Sequence, residues 1–162
     1  MERTLVTMTQ LDEVTPTLYR FTLGADEKDP AKMAAEVTDD FCALIYLDGE
    51  LLNETRGREA MLEQVSAFFP VQQDARRHAM TNAFFEERSE THVVVCSLLA
   101  VYVISAAAAE LRSTGLYHDR LVVDDGVWKL EQRILYLDCA TDPGSEPPSW
   151  ALQAKGEGST SR

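Results

Sequence analysis

Basic residues, cysteines and long apolar runs are all scarce in this chain of 162 residues. Fifteen lysines and arginines stand against 27 aspartates and glutamates, which gives a net charge of −12. Because binding to a nucleic-acid backbone or to an anionic membrane depends on clustered basic side chains, we expect neither partner. No apolar run reaches the roughly 18–20 residues of a membrane-spanning helix, and the first seven residues do not resemble a secretory signal. These absences predict a cytoplasmic globular protein.

Metal and redox chemistry also lack a sequence signal. The three cysteines (Cys42, Cys96 and Cys139) are odd in number and far apart, and none forms a Cys-x-x-Cys pair. Cys42 and Cys96 lie in apolar segments and are expected to be buried, reduced thiols. The three histidines (His78, His92 and His118) show no helical metal-ligand spacing. We therefore expect no metal and no other cofactor.

The first third of the chain has helical patterns. Leu11, Val14, Leu18 and Phe21 recur at helical spacing and predict a helix over about Thr9–Ala25, capped by Thr9 and ended by Gly24. Pro16 fits a helix only in its first turn, so a start at Thr15 is the alternative. A second helix is predicted from Pro30 to about Val37. A third begins at Gly57 and stops at Pro70.

The rest of the domain is rich in strand patterns. Phe41–Leu47, closed by Asp48 and Gly49, is a predicted strand and tight turn. Four long β-rich runs follow: Arg77–Glu86, His92–Ile104, Leu111–Val123 and Val127–Leu137. The alanine-rich link at Ser105–Ala109 fits either a helix or a loop. Residues 1–140 are thus one α+β domain, with three helices on one face of a strongly curved antiparallel sheet that forms a cone-shaped pocket. Residues 141–162 form a partly disordered tail.

Several motifs in order resemble the SnoaL-like family of the nuclear transport factor 2-like superfamily. They are the hairpin Thr114–Val122 with Asp125–Leu130 and Arg133, the segment Arg77–Asn82, the turn at Asp26, and Gly57–Glu59. The end of the last strand, Arg133–Asp138, is also similar to the β subunits of aromatic-ring dioxygenases, which share the fold. The superfamily contains dehydratases, isomerases, cyclases and non-catalytic subunits, so the resemblance implies the fold more firmly than the activity.

By that resemblance, Asp26 and His78 form a catalytic acid–base dyad. A carboxylate that binds one ring nitrogen fixes the tautomer of the imidazole and leaves the other nitrogen for substrate. The alternatives are a solvated turn residue at position 26 and a histidine at the rim of the pocket at position 78.

The substrate-binding residues are predicted from alternation and from the family. His78, Met80, Asn82 and Phe84 share one face of a regular strand, and that mixed face suits a pocket wall. The catalytic tyrosine of related dehydratases falls nearest Phe21, so its hydroxyl is lost here. Tyr19 is either a substitute for it or a core residue. Related dehydratases carry a further acid on the strand at Val93–Ile104, which here has none.

Three residues of the closing hairpin complete the predicted site. Tyr117 and Asp119 share the inward face of their strand, where they either orient substrate or tie strands together. Arg133 either clamps an oxyanion or pairs with Asp119 on the neighbouring strand.

The resulting hypothesis is a small cofactor-independent enzyme that isomerises, cyclises or dehydrates a hydrophobic polycyclic or polyketide-like substrate. Loss of the tyrosine and of the further acid favours isomerisation or cyclisation. The alternative is a non-catalytic ligand-binding or structural subunit. In either case we expect a homodimer through the open face of the sheet.

Overall fold

Three helices and six strands make up the part of the chain that the computed structural model describes, residues 10–139. The helices are α1 (Leu11–Asp26), α2 (Pro30–Ala35) and α3 (Arg58–Phe68). The strands are β1 (Val37–Leu47), β2 (Glu50–Arg56), β3 (Ala75–Arg88), β4 (His92–Ile104), β5 (Ala109–Asp124) and β6 (Val127–Leu137). The predicted α+β class is confirmed. The predicted cap Thr9 and the predicted tail lie outside the described residues.

Helix α1 follows the first prediction closely, starting two residues later and ending one residue later. It begins after Gln10, whose backbone N–H donates to the Glu13 carboxylate at 3.1 Å, and Pro16 lies inside it. The alternative start at Thr15 is therefore wrong, because burial of Val14 and Leu18 outweighs the backbone hydrogen bond that Pro16 cannot donate. Gly24 does not end the helix either. It lies where α2 crosses, and a Cβ there would come within 2.8 Å of the Met33 side chain.

The six strands form one sheet in the order β2-β1-β6-β5-β4-β3. All neighbouring pairs are antiparallel except β1 and β6, which run parallel, so the prediction of a purely antiparallel sheet needs that correction. Strand β2, which pairs with β1, was not predicted. The second predicted helix ends at Ala35, and Val37 already belongs to β1.

Register shifts curve the sheet. All five strand pairings carry such a shift, at Val37/Cys42, Ile45/Tyr46, Thr81/Phe84, Phe85/Glu87, Val101/Tyr102 and Arg120/Leu121. An extra residue in one strand bends it and increases the local twist, which closes the sheet around its inner face. The link after β4 is a loop, in which the Ser105 hydroxyl accepts from the N–H groups of Ala107 and Ala108.

The hydrophobic core lies between α1 and the inner face of the sheet. One buried cluster contains three side chains of α1, Val14, Leu18 and Phe21. It also contains side chains of the sheet, among them Phe41, Val93, Val95, Leu121 and Leu130. Within residues 10–139, no helix is long and apolar enough to cross a membrane. The core thus fixes α1 over the sheet and places its C-terminal end beside β3.

Candidate active site

A cavity of about 260 Å³, called the main cavity below, lies between the helices and the inner face of the sheet. Much of its wall is apolar, with Phe21 of α1, Phe41 of β1 and Leu135 of β6 among its lining residues. Two groups capable of carrying charge, His78 of β3 and Arg133 of β6, also line it. An apolar cleft with a few convergent polar groups is the usual form of a small-molecule site.

His78 lines this cavity and pairs with Asp26, which lines only the second cavity described below. The end of α1 and the start of β3 bring an Asp26 carboxylate oxygen to 2.5 Å from His78 Nδ1. The other carboxylate oxygen accepts from the His78 backbone N–H at 3.1 Å. The Asp26 side chain is only 5% exposed and that of His78 is 20% exposed. Two hydrogen bonds to one residue hold both the carboxylate and the ring in place.

This contact determines which ring nitrogen of neutral His78 carries the proton. An ionised carboxylate only accepts hydrogen bonds, so neutral His78 carries its proton on Nδ1. Nε2 then has a free lone pair. His78 is therefore oriented as a proton acceptor, with Asp26 placed to stabilise the imidazolium that proton uptake creates.

A second cavity, of about 300 Å³, lies on the other side of the pair. Its lining is Tyr19, Thr22, Leu23, Asp26, His78 and Met80. Thr22 and His78 line both cavities, and Tyr19 borders only the second one. Tyr19 is 50% exposed, so neither its predicted core position nor a place in the main cavity is found.

Arg133 and Asp119 form a buried ion pair beneath the cavity. Two parallel hydrogen bonds join the guanidinium to the carboxylate, at 2.7 Å from Nε and 2.8 Å from Nη2. Asp119 is fully buried and does not line the cavity, so its predicted contact with substrate is wrong. Its position behind Arg133, one strand away, makes it a positioning residue. The alternative of an Asp119–Arg133 pair is the arrangement found.

The rings of Tyr117 and Phe21 pack against the guanidinium group of Arg133. The Arg133 guanidinium carbon lies 3.9 Å from the ring centroid of Tyr117 and 5.1 Å from that of Phe21. Its Nη1 is 3.4 Å from the Thr22 hydroxyl, a long contact that leaves this nitrogen with donor capacity. A carboxylate and two aromatic rings thus fix the cation, and part of the guanidinium group borders the cavity.

Burial governs the ionisation of this group. Burial raises the pKa of Tyr117; the Arg133 cation opposes this shift and the charges of Asp119 and Asp26 add to it, so the pKa is raised overall and the phenol stays protonated at neutral pH. Burial also raises the pKa of Asp119, an effect that the Arg133 cation opposes. Burial acts to lower the pKa of Arg133, but Asp119 and Tyr117 outweigh it and raise the pKa overall. Arg133 and Tyr117 are therefore two hydrogen-bond donors at the cavity wall.

A polar cluster that the sequence analysis missed lies at the opposite edge of the sheet from His78. The Thr55 hydroxyl donates to Gln64 Oε1 at 2.6 Å, and Asn53 bonds to both residues at 3.3–3.4 Å. All three side chains line the main cavity. The turn at Asp48–Gly49 is a sequence signal for β2, which carries Asn53 and Thr55, because such a turn implies a hairpin partner for β1.

Two predicted wall residues lie on the wrong face. Asn82 has a φ of 54°, and the register with β4 shifts between Thr81 and Phe84. This bulge reverses the alternation, so Ala83 and Phe85 pack against the core instead. Phe84 is 56% exposed and Asn82 is exposed on the outside of the sheet. Met80, which precedes the bulge, keeps its predicted inward position.

The family follows from a match over residues 6–134 to the model of the SnoaL-like domain. The chain belongs to the SnoaL-like domain family. The resemblance inferred from the motifs is thereby confirmed. No curated protein matches the chain.

Solved structures share the fold of this SnoaL-like domain. A protein of unknown function from Mycobacterium tuberculosis is 26% identical, with a TM-score of 0.63 over 86% of this chain and 81% of that one. The β subunit of a candidate aromatic-ring-hydroxylating dioxygenase from Novosphingobium aromaticivorans has a TM-score of 0.70 at 14% identity, over 80% and 89% of the two chains. A candidate scytalone dehydratase from the same organism has a TM-score of 0.64 at 20% identity, over 84% and 89%.

Proposed function

We propose that this SnoaL-like protein is a cofactor-independent enzyme that isomerises or cyclises a hydrophobic polycyclic or polyketide-like ketone by general acid–base catalysis. The observation that supports it most strongly is the Asp26–His78 contact at the wall of an apolar cavity. Dehydration is the third reaction of this class. It is less favoured, because Phe21 offers no hydroxyl and Ser97 is the only polar residue on the inner face of β4.

In the proposed reaction His78 is the base. Its Nε2 takes a proton from a carbon next to the substrate carbonyl, and the electron pair of the broken C–H bond moves to the carbonyl oxygen as an enolate. Asp26 stabilises the imidazolium. Where the enolate is conjugated with a carbon–carbon double bond, return of the proton from His78 to the far carbon of that double bond completes an isomerisation. Alternatively, the enolate carbon attacks a second carbonyl of the substrate and closes a ring, and the alkoxide formed there takes the proton back from His78.

Arg133 and Tyr117 are the proposed partners of the enolate oxygen. Asp119 and the aromatic rings fix the guanidinium before substrate arrives, so little reorganisation is needed when negative charge develops. The Tyr117 phenol, kept protonated by burial, is a second donor. Both side chains line the cavity that His78 also lines.

We also propose that Asn53 and Gln64 bind a polar group at the far end of the substrate. These amides border the main cavity from β2 and α3, whereas His78 enters from β3 at the other edge of the sheet. A substrate that fits both ends is a flat ring system with a carbonyl at one end and a hydroxyl at the other. Phe21, Phe41 and Leu135 contact its apolar middle.

The test is hydrogen–deuterium exchange of 2-tetralone, an enolisable bicyclic ketone, followed by proton NMR in D₂O. We expect the protein to accelerate exchange over buffer and His78→Gln to lower that rate by about 10²- to 10⁴-fold. The control is His92→Gln, because both ring nitrogens of His92 are bound on the surface, by Ser89 and Glu87. Equal rates for His78→Gln and the unmodified protein would contradict the proposal.

A non-catalytic subunit is the alternative, supported by the structural likeness to a dioxygenase β subunit. That likeness, at 14% identity, concerns the fold alone. A subunit has no need of a carboxylate held on a cavity-facing imidazole, so the Asp26–His78 contact favours the enzyme. Exchange no faster than in buffer would favour the subunit.

The proposed assembly is a homodimer through the outer face of the sheet. Leu98, Leu116 and Tyr136 are neighbours across β4, β5 and β6, and the Tyr136 ring stacks on Tyr46 of β1 at 5.4 Å. Leu98 and Tyr136 remain 45% and 42% exposed, an apolar row that a second copy would cover. Sedimentation should show a dimer that Leu98→Lys converts to a monomer, and a monomeric unmodified protein would exclude this assembly.

A further inference from the structure

Three different metal-ligating side chains meet on the outer face of the sheet. Cys96 of β4 and His118 of β5 are direct cross-strand partners, with Cys96 Sγ at 3.4 Å from His118 Nε2. The irregular pairing between Phe85 and Glu87 places Glu86 of β3 beside them, with its carboxylate at 3.6 Å from Cys96 Sγ and 2.9 Å from His118 Nδ1. Ligand atoms of all three residues lie within 4.8 Å of one another.

The spacing fits a tetrahedral metal ion. Zinc bonds of about 2.3 Å to sulfur and about 2.0 Å to nitrogen or oxygen put two ligand atoms about 3.5 Å apart. The sulfur–nitrogen and sulfur–oxygen distances here, 3.4 and 3.6 Å, are close to that value. Glu86 contacts the other ring nitrogen, Nδ1, at 2.9 Å, so its carboxylate has to turn from Nδ1 to the metal when zinc binds at Nε2. Thiolate, imidazole and carboxylate together are a ligand set that zinc accepts and that magnesium and calcium do not prefer.

We propose that Glu86, Cys96 and His118 bind one zinc ion per chain, with water in the fourth position. The proposal is independent of the acid–base site, from which the sheet separates it. It runs against the expectation from the sequence, in which the three ligands are spread over 33 residues with no motif spacing. Pairing of β3, β4 and β5 brings them together.

The cluster borders the proposed dimer surface, since the His118 ring lies 5.5 Å from that of Tyr136, and within one chain it has an open side. Cys96 is 3% exposed and forms the floor, while the side chains of His118 and Glu86 are 26% and 51% exposed and form the open side. One carboxylate oxygen of Glu86 contacts both the Cys96 thiol and His118 Nδ1, so the three side chains already lie together.

A different function for the same residues fits less well. The order thiol, imidazole, carboxylate is that of a Cys-His nucleophile with an orienting acid. Such a nucleophile requires a lowered thiol pKa. Here burial, Glu86 and Asp119 raise the pKa of Cys96 to about 11, which disfavours a metal-free thiolate.

The test is a Co²⁺ titration of the untagged, chelator-treated protein in its own oligomeric state, followed by absorption. We expect one equivalent to give the visible bands of tetrahedral cobalt and a near-ultraviolet thiolate-to-cobalt band, both removed by added Zn²⁺. Cys96→Ser should abolish the thiolate band. The matched controls Cys42→Ser and Cys139→Ser should retain it, because these two cysteines lie outside the cluster.

A second variant keeps the test decisive if Cys96→Ser fails to fold. Glu86→Gln changes a half-exposed side chain, and we expect it to keep the thiolate band while raising the Kd for Co²⁺ by at least about 10-fold. The proposal is overturned if no saturable thiolate band appears, if the band survives Cys96→Ser, or if it disappears in Cys139→Ser instead.

Discussion

The two faces of the sheet carry similar pairs of charged residues with different roles, and β5 shows the contrast in two successive residues. Asp119 points inward, is fully buried and binds Arg133 at 2.7 Å. Arg120 points outward and binds Glu131 at 2.6 Å, with both side chains about one-third exposed. The distances are alike, so burial and neighbours, not contact geometry, separate a group that prepares a cavity wall from a solvated surface pair.

The three histidines extend this comparison. Each pairs with a carboxylate: His78 with Asp26, His92 with Glu87 and His118 with Glu86. Only His78 pairs with a carboxylate that is nearly buried, and it alone of the three lines the main cavity. The remaining ring nitrogen meets Ser89 in His92 and the Cys96 thiol in His118. The same type of pair therefore occurs in the proposed base, in a surface contact and in the proposed metal ligand.

The largest effect on stability is expected from breaking the inner pair. Asp119→Asn leaves the Arg133 cation buried without its counterion, which should lower the free energy of unfolding by about 3–5 kcal/mol. Urea unfolding measures the change. The double variant Asp119→Leu with Arg133→Met should recover much of the loss, because no buried charge is then left unpaired. A loss below about 1 kcal/mol in the single variant would show that burial does not distinguish the two faces.

A smaller effect is expected at the polar end of the cavity. If Gln64 binds a hydroxyl of the substrate, 6-hydroxy-2-tetralone should have a KM several-fold lower than that of 2-tetralone, a difference of about 1 kcal/mol. Gln64→Leu should remove that difference without changing kcat for 2-tetralone. An advantage of the hydroxylated ketone that persists in Gln64→Leu would place its hydroxyl elsewhere.

The smallest effect is expected from the outer pair. Glu131→Gln should change the free energy of unfolding by about 0–1 kcal/mol, because water replaces the lost contact with Arg120. The same urea measurement applies, and moderate salt should abolish what remains of the difference. A loss as large as that of Asp119→Asn would contradict the contrast between the faces.

Much of the fold and the central pair could be predicted from local patterns. Alternation and turn residues predicted β4 and β6 with the bounds that the structure gives, and the family motifs predicted that Asp26 and His78 belong to one site. These features depend on residues near one another in the chain or on motifs that survive divergence.

Features that depend on register could not be predicted in the same way. One left-handed residue, Asn82, exchanges the faces of the residues that follow it in β3 up to the next register shift, and it removes Phe84 from the predicted wall. The meeting of Glu86 with Cys96 and His118 depends on a second shift in the same strand. Alternation assumes a regular strand, so each bulge reverses its assignment of faces.

The central claim is that Asp26 fixes His78 with its proton on Nδ1 and a free Nε2, and the tautomer can be observed directly. A long-range proton–nitrogen NMR spectrum near neutral pH separates the two tautomers by the shifts of the ring nitrogens. We predict the Nδ1–H form for neutral His78, and its loss in Asp26→Asn, whose side-chain amide can also donate. A His78 ring in the Nε2–H form in the unmodified protein would contradict the account.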